Sequence, residues 1–246
     1  MKTHIAFCLD ESGSVSRIIR PLIDAYNTNV KEIRTAVLDE GQEASMTALA
    51  FGHNTLKHRA LYKGVQVQTV QELDYNSLQP SGMTPLFDSV HRAIEILNEL
   101  DDGKPDTSFV ISIVTDGQEN ASFDPGVPAV LREIQEKTGT DRWTFTFLVP
   151  NGYKRSFASK YRIPEGNIQE WDTHSAQGTK QAFVATGAAY KGFFQQKSAV
   201  GVGKTMSSRS FYANLSGETV RNVRSELSKI TTQEDLLIAA ATLAMI

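Results

Sequence analysis

Ile5-Ala6-Phe7-Cys8-Leu9-Asp10-Glu11-Ser12-Gly13-Ser14 is the stretch on which the architecture turns. Five apolar residues followed at once by carboxylates, hydroxyls and a glycine read as a buried strand that empties into a loop. Downstream, apolar residues recur at helical spacing from about Ser16 to Leu38, through Ile19, Leu22, Ile23, Tyr26, Val30, Ile33 and Val37. Residues 46–51 and 60–70 read as strands, and Pro80-Ser81-Gly82-Met83-Thr84-Pro85 as a loop opening a helix that runs to about Leu100. Phe109-Val110-Ile111-Ser112-Ile113-Val114 is the clearest buried strand, β-branched and nearly all apolar. A helix over 127–138, a strand over 143–149, a short helix over 153–161, an edge strand over 167–171 and a long helix over 175–196 complete the pattern. Such alternation predicts an α/β fold: a doubly wound, mostly parallel central sheet flanked by helices, with right-handed crossovers.

That domain is expected to occupy residues 1–197. Residues 198–210 are rich in Gly, Ser and Lys and read as a linker. Residues 211–246 read as a short helical extension, with a stripe at Val220, Val223, Leu227 and Ile230 and a second helix over 233–245. So few residues cannot build a core of their own. A chain ending on Leu243-Ala244-Met245-Ile246 suggests a continuation beyond it.

The 246 residues are 40% hydrophobic and 22% charged, which excludes wholesale disorder and fibrous repeats. A formal net charge of −3 argues against a nucleic-acid partner. The charge is unevenly spread: residues 1–150 carry 13 Lys+Arg against 21 Asp+Glu, and residues 151–246 carry 12 against 7. The single cysteine, Cys8, excludes an internal disulfide and a cysteine-built zinc cage, and its apolar neighbours mark it as a packed thiol. No apolar run approaches the ~20 residues that span a bilayer, and the residues before the first strand are too few for a secretory signal. A cytoplasmic, reducing compartment is the expectation.

In an open parallel sheet, ligands bind where loops leave the carboxyl ends of the strands. Three such loops carry oxygen donors: Asp10, Ser12 and Ser14 after the first strand, Thr84 ahead of a helix, and Asp116 after the strand at 109–114. Two carboxylates and three hydroxyls, with no cysteine and no well-placed histidine, form a hard donor set. That chemistry suits Mg²⁺ or Mn²⁺ and not zinc or copper. Gly13 is expected to let the first loop fold tightly. Because Mg²⁺ keeps several waters, a site with few protein ligands leaves a position open to an incoming acidic group.

At these residues the chain resembles the von Willebrand factor A (vWA) family, over roughly 1–197. The metal-ion-dependent adhesion site of that family joins an Asp-x-Ser-x-Ser loop to a distant Thr and a distant Asp, here Asp10, Ser12, Ser14, Thr84 and Asp116. The flanking Gly82-Met83-Thr84-Pro85-Leu86 and Val114-Thr115-Asp116-Gly117 resemble intracellular bacterial or phage-encoded versions. The resemblance implies a vWA/Rossmann-like sheet and direct metal contact from Ser12, Ser14 and Thr84. It implies support through water from Asp10 and Asp116, and completion of the site by an Asp or Glu of a partner protein. The implied function is a non-catalytic, divalent-metal-dependent protein-binding module with no catalytic residues.

Two other functions would use the same residues. A metal-assisted hydrolase or phosphatase needs a general base, and the nearby carboxylates Glu11 and Glu119 read as solvated loop charges. A structural scaffold would self-associate through residues 211–246 and leave the metal site vestigial. Haloacid-dehalogenase-type phosphotransfer wants a second aspartate where Ser12 stands. Position by position, the hydroxyls also have a plainer reading as helix caps: Ser14 or Ser16 for the first helix, Thr84 for the next. His91, on the helix after Thr84, is a candidate neighbour of the metal, whereas His53 and His58 read as solvated loop residues. Gly201-Val202-Gly203-Lys204-Thr205 ends like a P-loop but has Ser198 where the earlier glycine belongs, and Asn214-Leu215-Ser216 matches a glycosylation acceptor. Trp143, Trp171, Phe193 and Phe194 are expected in the core.

Overall fold

β1 (Lys2–Asp10) runs through the middle of the sheet with a parallel neighbour on either side, in a computed structural model that describes residues 1–52, 59–201 and 209–212. Eight of its nine residues are buried, as a strand covered on both faces demands. The chain then passes through α1 (Ile19–Asp39), β2 (Glu43–Phe51), β3 (Arg59–Gln66), α2 (Leu86–Glu99) and β4 (Thr107–Val114). It continues through α3 (Val127–Thr138), β5 (Trp143–Pro150), α4 (Lys154–Tyr161), β6 (Ile168–Trp171) and α5 (Ala176–Val200). Among the described residues the strand order is β3-β2-β1-β4-β5-β6, with β3 antiparallel to β2 and the remaining pairs parallel. The expected doubly wound α/β sheet is the observed one.

Alternate residues of β1 feed two cores. Ala6 and Cys8 join Phe87, Val90, Ile94 and Leu97 of α2 and the rings of β4 and β5 on one face. Phe7 points the other way, its ring centroid 5.2 Å from Tyr26 of α1 and 5.9 Å from Tyr190 of α5. Cys8 is the packed thiol expected: its Sγ donates to Ser89 O at 3.6 Å, and burial pushes its pKa up to about 12. Trp143, Trp171, Phe193 and Phe194 are likewise buried.

The strand expected over 60–70 stops at Gln66 and gives way to a short 3₁₀ turn, Val67–Thr69. The reason is a competing partner. Arg34 of α1 donates to Val67 O at 3.1 Å and to Val70 O at 3.0 Å, taking carbonyls that a longer ladder would have needed. The long C-terminal helix also exceeds its expectation and continues to Val200, three residues into the stretch read as a linker. Phe211 and Tyr212 pack back on this unit: Phe211 N donates to Asn167 Oδ1 at 2.8 Å, and the Phe211 ring meets Tyr190 edge-on at 5.0 Å. The compact unit runs Met1–Asn214. Most of the expected linker, most of the extension, the P-loop-like and glycosylation-like stretches, and His53 and His58 lie outside the described residues. Among the described residues no helix is long and apolar enough to cross a membrane.

Candidate metal centre

The winding reverses between β1 and β4. From β1 the chain builds outward through β2 and β3, and from β4 it builds the opposite way through β5 and β6. A crevice forms at the carboxyl ends of such a strand pair. Leu9 pairs with Val114, so the next residues, Asp10 and Thr115, face each other across it. Thr115 Oγ1 donates to Asp10 Oδ2 at 2.7 Å, and the Ser12 N–H donates to Asp10 Oδ1 at 2.7 Å. Asp10 thereby ties its own loop to the end of β4.

The hydroxyls form a continuous chain. Ser14 Oγ donates to Asp116 Oδ1 at 2.7 Å and lies 3.0 Å from Ser12 Oγ. A serine has one proton to donate, so with Ser14's directed at Asp116 the Ser12 hydroxyl donates to Ser14. Thr84 joins from the opposite wall. An ideal Cβ on Gly117 would sit 3.6 Å from Thr84 Oγ1 and 4.0 Å from Ser14 Oγ, so the bare glycine keeps a cradle open between them. Asn120 holds Thr84 there, its Oδ1 accepting from Thr84 N at 2.8 Å while its own N–H donates to Thr84 O at 3.2 Å. Thus all five residues picked from the sequence come to one edge of the sheet.

The plainer reading of the hydroxyls as caps does not hold. α1 begins after Ile18 and α2 after Pro85, neither with a side-chain cap, and the Ser16 hydroxyl returns to Gly13 O at 2.6 Å. The N-terminus of α2 is served instead by Glu119, whose Oε2 accepts from Phe87 N at 3.1 Å, and by Ser122, whose Oγ accepts from Asp88 N at 3.0 Å. Glu119 is therefore half-buried and engaged, not a solvated loop charge. Gly13 also differs from expectation. An added Cβ there would meet only Gly82 O at 3.7 Å, and the glycine with a left-handed backbone is Gly82, at φ 76°, in the neighbouring loop that leads to Thr84.

Glu11 overturns its expectation more fully. It is 1% exposed and lies in a bidentate ion pair with Arg59 at the start of β3, Nε to Oε1 at 3.1 Å and Nη2 to Oε2 at 2.7 Å. Its carboxylate also accepts from Gln79 N at 2.9 Å, and Arg59 Nη2 donates to Ser77 O at 2.5 Å. The backbone of Glu11 is fastened as well, its N–H to Phe51 O at 2.7 Å and its carbonyl to Ser81 N at 2.8 Å. A Cβ on Gly52 would come within 2.4 Å of Ser12 N, so only glycine lets the end of β2 approach this closely. Glu11 thus stitches the Ser12–Ser14 loop to the segment that leads to Thr84. Nothing in the local sequence announces Arg59, 48 positions away. His91 is turned from the hydroxyl cluster toward α3, with its Nδ1 2.9 Å from Glu133 Oε2.

The electrostatics differ sharply between these acids. Burial, the largest influence, raises the Asp10 pKa to about 6 against the pull of its hydrogen bonds, and burial likewise raises that of Asp116. Neither has an ion-pair partner among the described residues. Two carboxylates held by hydroxyls and backbone N–H groups, without an ion pair, fit a divalent cation: the donors are oxygen throughout, and the charge to be balanced is negative. Among the described residues no cluster of three or more His, Cys, Asp or Glu could hold a metal, at this crevice or elsewhere, so a cation here would depend on the hydroxyls as well as the two carboxylates.

No protein-family model matches the chain, and no curated protein does either. Its likeness to solved structures is extensive. The pilus adhesin SpaC from Lactobacillus rhamnosus GG, in an open conformation, is similar over 78% of this chain at 11% identity, with a TM-score of 0.58. Proximal thread matrix protein 1 from the mussel byssus, in a structure with a zinc-occupied MIDAS motif, is similar over 74% of this chain at 14% identity and a TM-score of 0.52. The chain spans only 30% of the adhesin and 46% of the matrix protein. The SpRpn10 VWA domain is covered over 93% of its own length and 74% of this chain, at 10% identity and a TM-score of 0.50. These likenesses, together with the strand order and the position of the crevice, show a vWA-like fold.

Proposed function

We propose that this chain is a non-catalytic, divalent-metal-dependent module that captures an Asp or Glu side chain of a partner protein. The observation that carries the reading is the pair of carboxylates at the crevice, buried Asp10 and half-buried Asp116, which converge with the Ser12, Ser14 and Thr84 hydroxyls and have no ion-pair partner among the described residues. Mg²⁺ or Mn²⁺ bound there would supply the missing positive charge and a coordination position for an incoming carboxylate. The zinc-occupied MIDAS motif of the mussel protein, on the same fold, supports a cation at this edge.

The chain's own residues do the positioning. Asp116 accepts a hydrogen bond from Ser14, which turns the Ser14 hydroxyl so that one lone pair accepts from Ser12 and the other is open to a cation. Asp10 pins the loop through Ser12 N and Thr115, and Asn120 fixes Thr84 on the far wall. Glu11 and Glu119, the nearby candidates for a general base, are engaged by Arg59 and by the start of α2, which favours binding over turnover. We propose, further, that the module is cytoplasmic and bacterial or phage-encoded, as its resemblance in the loops around Thr84 and Asp116 implies.

Thermal unfolding of the whole chain, titrated with Mg²⁺ or Mn²⁺ against EDTA, tests the reading. Wild type is expected to gain about 2.7 kcal/mol at a hundredfold excess of metal over its Kd, and Asp10→Ala to gain nothing. Equal gains in the two proteins, or none in either, would overturn it.

A further inference from the structure

A cavity of about 750 Å³ opens beside the candidate metal face, with Ser14 and Asp116 in its wall. That volume lies within the range of sites that enclose small ligands or short segments, about 300–1,000 Å³. Arg17 lines the same cavity. It is exposed, with no ion pair or hydrogen bond to its side chain among the described residues. The other charged groups at the far wall are engaged within the chain: Asp172 accepts from His174 N at 2.9 Å and from Ser175 Oγ at 2.7 Å, and lies 3.4 Å from His174 Nδ1.

The turn carrying Ser14 and Arg17 is a 3₁₀ helix, Gly13–Arg17. In that geometry residues three apart eclipse one another and are separated by about 6 Å along the axis. Ser14 and Arg17 are three apart, so the hydroxyl at the metal face and the free guanidinium share one face of the turn. An extended peptide sets side chains i and i+2 on one face about 6.6 Å apart, which matches that separation. Tyr153 on the cavity wall is 38% exposed, apolar surface that a polypeptide covers and a free dicarboxylate does not.

We propose that the cavity receives an extended acidic segment of the partner protein with the pattern acid-x-acid. Its first carboxylate sits at the metal face beside Ser14, and its second forms a charge-assisted pair with the Arg17 guanidinium. The inference rests on the metal-dependent reading above and adds a partner class and a specificity-determining residue. Arg17 selects the second acid because a guanidinium offers two parallel N–H donors to a carboxylate and none to an amide's NH₂.

The test uses the whole chain in saturating Mg²⁺ and two labelled Gly/Ser peptides, one centred on Glu-Gly-Glu and the other on Glu-Gly-Gln, read by fluorescence anisotropy. Wild type is expected to bind the diacid about tenfold more tightly, the scale of one hydrogen-bonded contact to a charged group. Arg17→Gln is expected to bind both peptides alike, at the weaker level. Its Mg²⁺-induced thermal stabilisation should match wild type, because Arg17 is outside the five donors. Equal wild-type affinity for the two peptides, a preference that survives in Arg17→Gln, or no binding of either peptide overturns the proposal. Succinate competing as well as the diacid peptide overturns it too, by making the occupant a small dicarboxylate. Loss of the Mg²⁺ shift in wild type counts instead against the metal reading, so the two failures are distinguishable.

Discussion

Asp10 and Glu11 are neighbours in the chain, each 1% exposed, and their carboxylates are treated in opposite ways. Glu11 turns toward β3, where Arg59 meets it with two parallel hydrogen bonds and Gln79 N adds a third. Asp10 turns toward β4 and finds one hydroxyl and one N–H, and half-buried Asp116 across the crevice accepts from Ser14 and has no ion pair among the described residues. Burying an ionised carboxylate costs several kcal/mol unless charge or strong hydrogen bonding offsets it. On the Glu11 side the fold closes that account internally. On the Asp10–Asp116 side it leaves negative charge for something outside the chain to balance. The contrast separates an acid paired within the fold from one left without an ion pair inside a single dipeptide, where residue type alone does not.

The largest expected effect breaks the internal pair. Arg59→Leu leaves Glu11 buried without its cation and should destabilise the protein by about 3 kcal/mol, the lower end for a broken buried pair because the Arg59 side chain is 30% exposed. Urea denaturation in EDTA measures it, and adding Glu11→Met to Arg59→Leu should recover part of the loss. If Arg59→Leu unfolds like wild type, the stitch between the first loop and the segment leading to Thr84 has no energetic weight.

The next effect has two signs. Asp116→Asn removes a carboxylate whose ionised form burial disfavours, so the variant should melt above wild type in EDTA. In Mg²⁺ the order should reverse, since wild type gains about 2.7 kcal/mol at a hundredfold excess of metal and the variant does not. Paired melting curves with and without Mg²⁺ check both halves. A variant less stable than wild type in EDTA would remove the contrast drawn between the two acids.

The smallest effect lies behind the site. Trp171 Nε1 donates to Thr115 O at 3.1 Å, steadying the residue whose hydroxyl holds Asp10. Trp171→Phe should cost about 1 kcal/mol for the lost hydrogen bond and shift the midpoint of Mg²⁺ stabilisation only slightly. A large fall in metal affinity would instead make Trp171 part of the site.

Patterns of short range carried most of the architecture. The apolar run at 109–114 and the switch from period two to helical spacing sufficed for the sheet and its helices, because burial on both faces forces continuous apolar strands. The convergence of Asp10, Ser12, Ser14, Thr84 and Asp116 was legible for a related reason: each lies where a strand ends or a helix is about to begin, and loops at strand carboxyl ends are where side chains can converge. What stayed hidden depends on which distant groups meet. Nothing local tells Asp10 from Glu11, or reveals that Glu11 is matched by Arg59, that Glu119 serves the start of α2, that His91 turns to Glu133, or that Arg34 cuts short the strand expected over 60–70. Those outcomes follow from strand order and helix placement, which bring charges tens of residues apart within hydrogen-bond reach. A sequence lists the donors and acceptors available; the packed chain selects the pairs, because a buried charge takes whichever partner the fold sets beside it.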